Sequence, residues 1–310
     1  MKRYIGALFL AWTGVLIAAY YVVQKPALVD MFAGLVDTLW TLLVAAILLF
    51  NVYGFGRRVL HGLRFDSQTP VEKLLIAPGI GLGLLGLLGL FFAMLQLANQ
   101  VILAAVQIVF AVFFILRGDI RKLSADLTSL KSELNISFSQ YSTFTRIAVG
   151  LTVLLSFLLT LVPPFEAFDA LLYHLTLPAS ILQHGGLYAI NNPPFWFPGL
   201  TEHIYLWALG MGSERAAQVI HFAWTVSAVL LLWHWSVKVW GIEIGRKTLL
   251  LVAAIPSLVM LASWAYADMA LVYYAIAALY AFSYYRTTGL RSWLYIAGLM
   301  SGLRSVCMSV

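Results

Sequence analysis

The residues most able to do chemistry in this sequence gather in one stretch, 163–214. The stretch contains no Lys or Arg, but it carries four carboxylates and three histidines. A carboxylate within hydrogen-bond reach of a hydroxyl can accept its proton, and an imidazole can do the same. The stretch is therefore a candidate active-site loop. Its acids are Glu166, Asp169, Glu202 and Glu214, and its histidines are His174, His184 and His203.

The first part of this stretch predicts a short helix with acids on one face. We expect Phe165 to Leu177 to be helical, up to the proline that follows, because proline cannot continue a helix without losing a hydrogen bond. Glu166, Asp169 and Tyr173 then stand at i, i+3 and i+7 on one face, with His174 at its edge. Helix capping is the alternative role for Asp169.

A second candidate lies further along the chain, in Ser263–Leu271. Asp268 stands there at the expected turn between two apolar segments. Asp is also a good N-terminal cap of a helix, so capping is the alternative to a role in binding or catalysis.

The elements that must position these residues are membrane helices. Hydrophobic residues make up 62% of the chain and charged residues 10%, and the mean hydropathy is +0.91. This composition excludes a soluble globular domain. The net charge of +6 lies in short loops between apolar segments, which does not build a nucleic-acid-binding face. The single Cys307 excludes an internal disulfide.

The apolar segments predict an all-α fold, a polytopic membrane helix bundle of about eight or nine transmembrane helices. An outer loop of short amphipathic helices is expected after the fifth span. The first segment is too long for a signal peptide, so we expect it to remain as a span. The predicted spans are Tyr4–Val23, Met31–Phe50, Leu74–Leu97, Val101–Leu116, Ile147–Val162, Ala216–Trp235, Thr248–Ala262, Met269–Tyr284 and an incomplete one from Trp293.

Most of the 19 basic residues fall in alternate loops, which predicts a cytoplasmic (plasma) membrane protein with its N-terminus inside. The stretch 163–214 and the turn before Asp268 then share the outer side. On the inner side, Gly118–Thr145 has leucines at helical spacing with charges between them. We expect an amphipathic helix along the inner membrane surface, with Leu123, Leu127, Leu130 and Leu134 on its apolar face.

Residues Gly81–Gly86 spell G-x-G-x-x-G, which also occurs in dinucleotide-binding loops. That function requires a strand before the motif and an amphipathic helix after it. Here the motif lies inside an apolar segment, where small residues let helices approach closely. The motif therefore predicts helix packing.

The residues 163–187, followed by 191–209 and 212–224, resemble the first outer loop of the GT-C glycosyltransferases. This superfamily of polytopic membrane enzymes includes protein mannosyltransferases and lipid A aminoarabinose transferase. The closest likeness is to bacterial members with the pattern Asp-Ala-Leu-x-Tyr-His-Leu, here Asp169–Leu175. Their later pattern Ala-Tyr-x-Asp-x-Ala-Leu is similar to Ala265–Leu271. The resemblance covers Ile147 to Leu303.

The resemblance implies a hexosyl- or pentosyltransferase that moves a sugar, with inversion, from a polyprenyl-phosphate donor to an acceptor hydroxyl at the outer membrane face. Asp169 matches the family's outer-loop aspartate and is expected to be the general base. Glu166 is expected to assist it through like-charge proximity or by orienting the acceptor. The other expected substrate contacts are Asp268, Tyr173, His174, Arg215 and His221.

Several of these roles have structural alternatives. Arg215 could clamp the donor phosphate beside a helix N-terminus, or extend to the membrane interface. Either histidine, His174 or His221, could be a structural residue. Asp169 and Asp268 could together bind a divalent metal ion, Mg²⁺ or Mn²⁺, and no other cofactor is expected.

We expect two parts in the chain. Residues 1–146 form an N-terminal four-helix membrane region with the amphipathic segment, and residues 147–310 form a partial catalytic core. Relatives in the family run further, so the resemblance implies a C-terminally truncated chain whose own activity is open. The alternatives are a membrane transporter or flippase, or an inactive truncated membrane protein. The scarcity of charges inside the spans, Asp37 apart, favours the enzyme over the transporter.

Overall fold

The structure is a computed structural model that describes residues 15, 28–65, 69–164, 167–189 and 199–307. The described residues form helices and no strand, which confirms the all-α prediction. They divide into two compact units, Met1–Trp40 and Thr41–Val310, and the boundary predicted at 146/147 falls inside the second unit. The helices are α1 (Leu28–Gly62), α2 (Pro70–Met94), α3 (Gln100–Leu116), α4 (Asp119–Ser139), α5 (Thr143–Thr160), α6 (Thr176–His184), α7 (Leu200–Gly210), α8 (Glu214–Trp240), α9 (Ile242–Ala253), α10 (Pro256–Ser263), α11 (Asp268–Thr288) and α12 (Arg291–Cys307), with a π-turn at Ala170–His174.

Four of the described helices, α1, α2, α5 and α8, are long and apolar enough to cross a membrane. Two bent pairs, α3 with α4 and α9 with α10, would raise this to six if each pair is one span. The chain thus has several helices of the membrane-spanning kind, but the predicted count of eight or nine is not confirmed. The first predicted span, Tyr4–Val23, lies outside the described residues except for Val15.

The predicted span Thr248–Ala262 is not one helix, and this correction has a local cause. Its sequence divides between α9 and α10, which meet at an angle of 74°. Pro256 has no N–H to continue the helical ladder, and it disfavours helical geometry at the residue before it. Ile255 accordingly adopts an extended conformation, with φ −88° and ψ 103°.

The glycines of α2 are packing positions, as predicted from their place in an apolar segment. A Cβ on Gly81 would lie 1.9 Å from the carbonyl oxygen of Val52 in α1. A Cβ on Gly89 would lie 2.3 Å from the carbonyl oxygen of His203 in α7. Only glycine permits this backbone contact, so the glycines of α2 let α1 and α7 approach it closely.

The loop helix α7 differs from the prediction of short amphipathic helices. Nearly all of its residues are buried, including the polar Thr201, Glu202 and His203. Trp207 reaches across to α2, where its indole N–H donates to the Leu85 carbonyl at 2.9 Å. The helix is therefore part of the core, which fixes Glu202 and His203 in position.

The helix α4 is confirmed, and its buried face keeps three of the four predicted leucines: Leu130 is buried and Leu123 and Leu134 pack against the core. The same face also buries two aspartates, which was not predicted. Asp119 and Asp126 are 1% and 6% exposed, whereas Leu127 is 48% exposed. Asp119 pairs with Arg58 at 2.6 Å, and Asp126 pairs with Arg57 at 2.7 Å. Burial of a carboxylate is favourable only with such a partner, and α1 supplies the partners.

Candidate active site

The π-turn Ala170–His174 shapes the first motif. The Leu175 N–H donates to the Ala170 carbonyl at 2.8 Å, the i+5 spacing that defines such a turn. The predicted α-helix is therefore interrupted here by a π-turn, and the shared face of Glu166, Asp169 and Tyr173 stays a prediction. Glu166 itself lies outside the described residues. Such turns are frequent at functional sites.

The helix predicted to stop at Pro178 instead includes it. The helix α6 begins at Thr176, so Pro178 lies in its first turn. The N–H groups of a first turn have no partner within the helix, so proline costs nothing there.

Asp169 stands just before the π-turn and is half-buried. Its side chain makes no capping hydrogen bond there.

His174 forms a buried pair with Glu202 of α7. Its Nδ1 lies 2.5 Å from Glu202 Oε1, and the two side chains are 2% and 5% exposed. The pair links the first motif to the core helix, which holds the imidazole in one orientation. Tyr173 is half-buried and packs its ring against that of His174, with centroids 4.1 Å apart.

Tyr266, in the connection between α10 and α11, is where the two sequence motifs meet. Its ring packs on His174 with centroids 5.6 Å apart. Its carbonyl accepts a hydrogen bond of 2.6 Å from the Tyr205 hydroxyl of α7. Burial raises the pKa of the Tyr266 hydroxyl, the facing backbone N–H of Asp169 lowers it, and the charges of Asp169 and Asp268 raise it further. The charges of both aspartates therefore contribute to the raised pKa of this one phenol.

Asp268 begins α11 and is exposed. The next residue, Met269, donates its backbone N–H to His221 Nε2 at 3.3 Å, and His221 is fully buried in α8. His221 thus holds the first turn of α11 in place, which is a structural role. Among the described residues Asp268 makes no side-chain capping bond at this helix end.

Arg215 and Gln218, in the first turns of α8, bind the carbonyls that follow α5. Arg215 donates from Nη1 to the Leu161 carbonyl at 2.8 Å, and Gln218 donates to the Val162 carbonyl at 3.2 Å. The last carbonyls of a helix have no partner within it, so these contacts satisfy them. This helix-ending contact is a structural role for Arg215, and its role at a phosphate stays a prediction.

His203, next to Glu202 in α7, is a buried histidine that sequence reasoning assigned no role. Its Nδ1 lies 2.7 Å from the Gly199 carbonyl, so Nδ1 carries the proton. Burial lowers the pKa of His203 below its ordinary value of 6.5. Among the described side chains, its Nε2 has no hydrogen-bond partner.

The candidate metal ligands at this site are the two aspartates, Asp169 and Asp268. The described residues contain no group of three or more His, Cys, Asp or Glu side chains placed to hold a metal. Mg²⁺ commonly takes one or two carboxylates and completes its shell with water and substrate phosphate, so Asp169 and Asp268 fit that pattern by chemistry alone.

Two apolar cavities follow one another along α10 towards this site. The larger, about 530 Å³, lies among α5, α8, α9 and α10 and is lined by residues such as Phe157, Phe222 and Leu258. The smaller, about 230 Å³, is lined by Pro164, Met260 and Trp264 among others. Trp264 packs on Tyr266 with ring centroids 5.4 Å apart, so the smaller cavity adjoins the meeting point of the motifs.

Glu202 and Tyr266 are the site residues that sequence reasoning left without a role. Both belong to the quoted motifs or to the acidic stretch, so their types were visible. Their importance depends on contacts to His174 from positions 28 and 92 residues further along the chain, which a single sequence does not reveal.

Comparison with protein-family models, with curated proteins and with solved structures finds no match to this chain.

Proposed function

We propose that this chain is a membrane glycosyltransferase that moves a sugar from a polyprenyl-phosphate donor to an acceptor hydroxyl at the outer face of the cytoplasmic membrane. The observation that carries the proposal is the meeting of the motifs Asp169–Leu175 and Ala265–Leu271 at Tyr266. His174 of the first motif packs on Tyr266 of the second, and the charges of both aspartates raise the pKa of the Tyr266 hydroxyl.

In the proposed reaction Asp169 is the general base. Its carboxylate accepts the proton of the acceptor hydroxyl as the hydroxyl oxygen forms a bond to the anomeric carbon. The bond from that carbon to the donor phosphate breaks, and polyprenyl phosphate leaves with the bonding electron pair. The configuration at the anomeric carbon is inverted, because attack and departure occur on opposite faces.

The remaining polar residues orient the reactants. Half-buried Asp169 and exposed Asp268 are accessible, whereas His174 and Glu202 are buried. We assign His174 and Glu202 to positioning the Asp169 turn, and Asp268 to binding sugar hydroxyls or a divalent metal ion at the phosphate. Tyr173 and Arg215 would contact the substrate from the edge of this group.

The apolar cavities along α10 suit the prenyl chain of the donor. A prenyl chain is entirely hydrocarbon, and its burial against apolar side chains is favourable in proportion to the area covered. With the chain in the larger cavity and the phosphate near Trp264, the sugar would reach Asp169.

The test is a donor-cleavage assay on the full chain in lipid nanodiscs. Polyprenyl-phosphate mannose, glucose and arabinose are supplied in turn with lipid-extract acceptors, and release of polyprenyl phosphate is followed by ³¹P NMR. We expect Asp169→Asn to lose activity by roughly 10²- to 10⁴-fold, the usual contribution of a general base. Asp30→Asn, the same change at an exposed helix start, is the matched control.

Unchanged turnover in Asp169→Asn would remove Asp169 as the base. Absence of cleavage with every donor, in wild-type protein that is folded, would count against the glycosyltransferase.

A transporter is the second candidate, and the break between α9 and α10 favours it, because substrate sites of transporters often use interrupted helices. The same nanodisc material, reconstituted into liposomes, separates the two. Movement of the lipid donor between leaflets without cleavage would identify a flippase.

A further inference from the structure

A cavity of about 440 Å³ lies where α1 ends, α2 begins, α3 ends and α4 begins. It does not belong to the candidate active site. Lys73 lines the cavity at the start of α2, whereas Gly89, near the other end of that helix, contacts the site helix α7. At 1.5 Å per residue these positions are about 24 Å apart.

The lining of this cavity is strongly cationic. The described lining residues include five side chains with a permanent positive charge and one carboxylate, Asp119. Asp126 lies outside the lining and pairs with Arg57, so among the described residues two carboxylates pair with three of these cations. The cations are Arg57, Arg58, Lys73, Arg117 and Lys122, and His61 also lines the cavity.

The cations are held in place by the surrounding structure. Asp119 accepts from Arg58 at 2.6 Å and from Lys122 at 3.1 Å, so one carboxylate fixes two cations. The Arg58 guanidinium also lies over the Phe114 ring, 4.5 Å from its centroid. Arg117 lies over the Phe113 ring at 5.5 Å. Packing against rings leaves guanidinium N–H groups directed to the side, where they can donate to an oxyanion.

We propose that this cavity binds a phosphate group. Ligand cavities usually measure about 300–1,000 Å³, so its size is suitable. Two arginines can present paired N–H groups to phosphate oxygens, and Lys73 and Lys122 add compact charges. Basic cavities between membrane helices bind phospholipid head groups, and a free phosphate or phosphate ester in solution would offer the same oxygens. The proposal does not depend on the function of the other site.

The experiment uses the full chain in neutral detergent and in nanodiscs. In detergent, inorganic phosphate and pyrophosphate are titrated against sodium sulfate and chloride, and binding is read from the apparent unfolding midpoint. In nanodiscs, phosphatidylcholine alone is compared with a mixture of phosphatidylcholine and phosphatidylglycerol, with bound lipid counted by native mass spectrometry.

The variants are Arg117→Gln, Lys73→Gln and the control Arg121→Gln. Arg117 has a ring contact and no ion pair among the described residues, so its replacement leaves the fold in place. Arg121 is exposed on α4 and outside the lining, and its replacement removes the same charge. We expect each lining variant to weaken binding by roughly tenfold, the usual effect of losing a charge-assisted hydrogen bond, and Arg121→Gln to bind like wild type.

Phosphate binding in detergent that the lining variants weaken would support a soluble phosphate ligand. Retention of phosphatidylglycerol alone, weakened by the same variants, would support a lipid head group. Equal loss in Arg121→Gln and the lining variants would mean general charge attraction and overturn the proposal, as would the absence of binding in both arms.

Discussion

Gly89→Ala tests whether the glycines of α2 allow the backbones of neighbouring helices to approach closely. The added Cβ would lie 2.3 Å from the His203 carbonyl oxygen and 3.0 Å from the Trp207 indole nitrogen. Real Cβ atoms essentially never approach closer than 3.0 Å, so α2 and α7 must separate by at least 0.7 Å, the difference between the two values. The nearest obstacle is backbone, so no side-chain rotation relieves the contact.

The cost of fitting the added methyl group is partly offset by the higher helix propensity of alanine. Overpacking a core costs about 1–3 kcal/mol. Replacing glycine by alanine inside a helix returns about 0.5–1 kcal/mol. The net loss lies between about 0 and 2.5 kcal/mol and centres on about 1 kcal/mol, which corresponds to a fall in the unfolding midpoint on the order of 3 °C.

The control is Gly150→Ala in α5, where a Cβ would meet nothing within 4 Å. The same chemical change should there leave the midpoint unchanged or raise it. Both variants are measured as apparent midpoints by fluorescence-detected size exclusion after heating in one detergent at one heating rate. If Gly89→Ala were as stable as Gly150→Ala, the close contact between α2 and α7 would be refuted.

Two further predictions concern the helix α7. Glu202→Ala should lower the free energy of unfolding by about 1–3 kcal/mol, and with it the midpoint, because it leaves buried His174 without its partner. Glu202→Gln keeps an acceptor and should cost less; equal midpoints in both variants and wild type would remove the pair as a stabilising contact. Burial lowers the pKa of His203 below 6.5, so as the pH falls the unfolded chain binds a proton at this residue at a higher pH than the folded chain does. Stability from this residue is therefore present above pH 6.5 and lost as the pH falls through that value, and His203→Asn should flatten the dependence of the midpoint on pH; an unchanged slope would contradict the assignment.

The positions of the long helices were predictable because each depends on a continuous local property. Runs of apolar residues predict both ends of α2 and α8 to within about five residues, whereas α1 continues past the predicted Phe50 to Gly62, and glycine spacing predicts that α2 packs closely. The break at Ile255 was visible in principle, since Pro256 follows it. Length and hydropathy alone predict one span there, because neither property registers the proline that divides the chain into two helices.

The polar contacts were not predictable, because they join residues far apart in sequence. Glu72 accepts from Lys238 and from Tyr280, each at 2.6 Å, and these partners lie on α8 and α11. Nothing near Glu72 in the sequence indicates them, although its capping bond to Thr69 could be read from the spacing. Glu202 is a similar case, since only the folded chain shows that it pairs with His174.

The helix α4 shows how the polar contacts determine which face of a helix is buried. Its acids Asp119, Asp126 and Glu133 recur every seven residues, and this spacing keeps them on one side of an α-helix. Each has a basic partner, and the last is His234 of α8, whose Nδ1 lies 2.7 Å from Glu133.

The leucine spacing also predicts one face, but apolar side chains can remain in contact with lipid, whereas an unpaired carboxylate cannot be buried without a large cost. The ion pairs and three of the leucines therefore share the buried side of α4, and only Leu127 is left exposed. The same pairs engage Arg57 and Arg58, and the described residues where α1 ends and α2 begins still carry more basic than acidic side chains. These basic side chains line the cavity for which we propose a phosphate ligand. An anion bound there would add to the neutralisation that Asp119 and Asp126 of α4 provide.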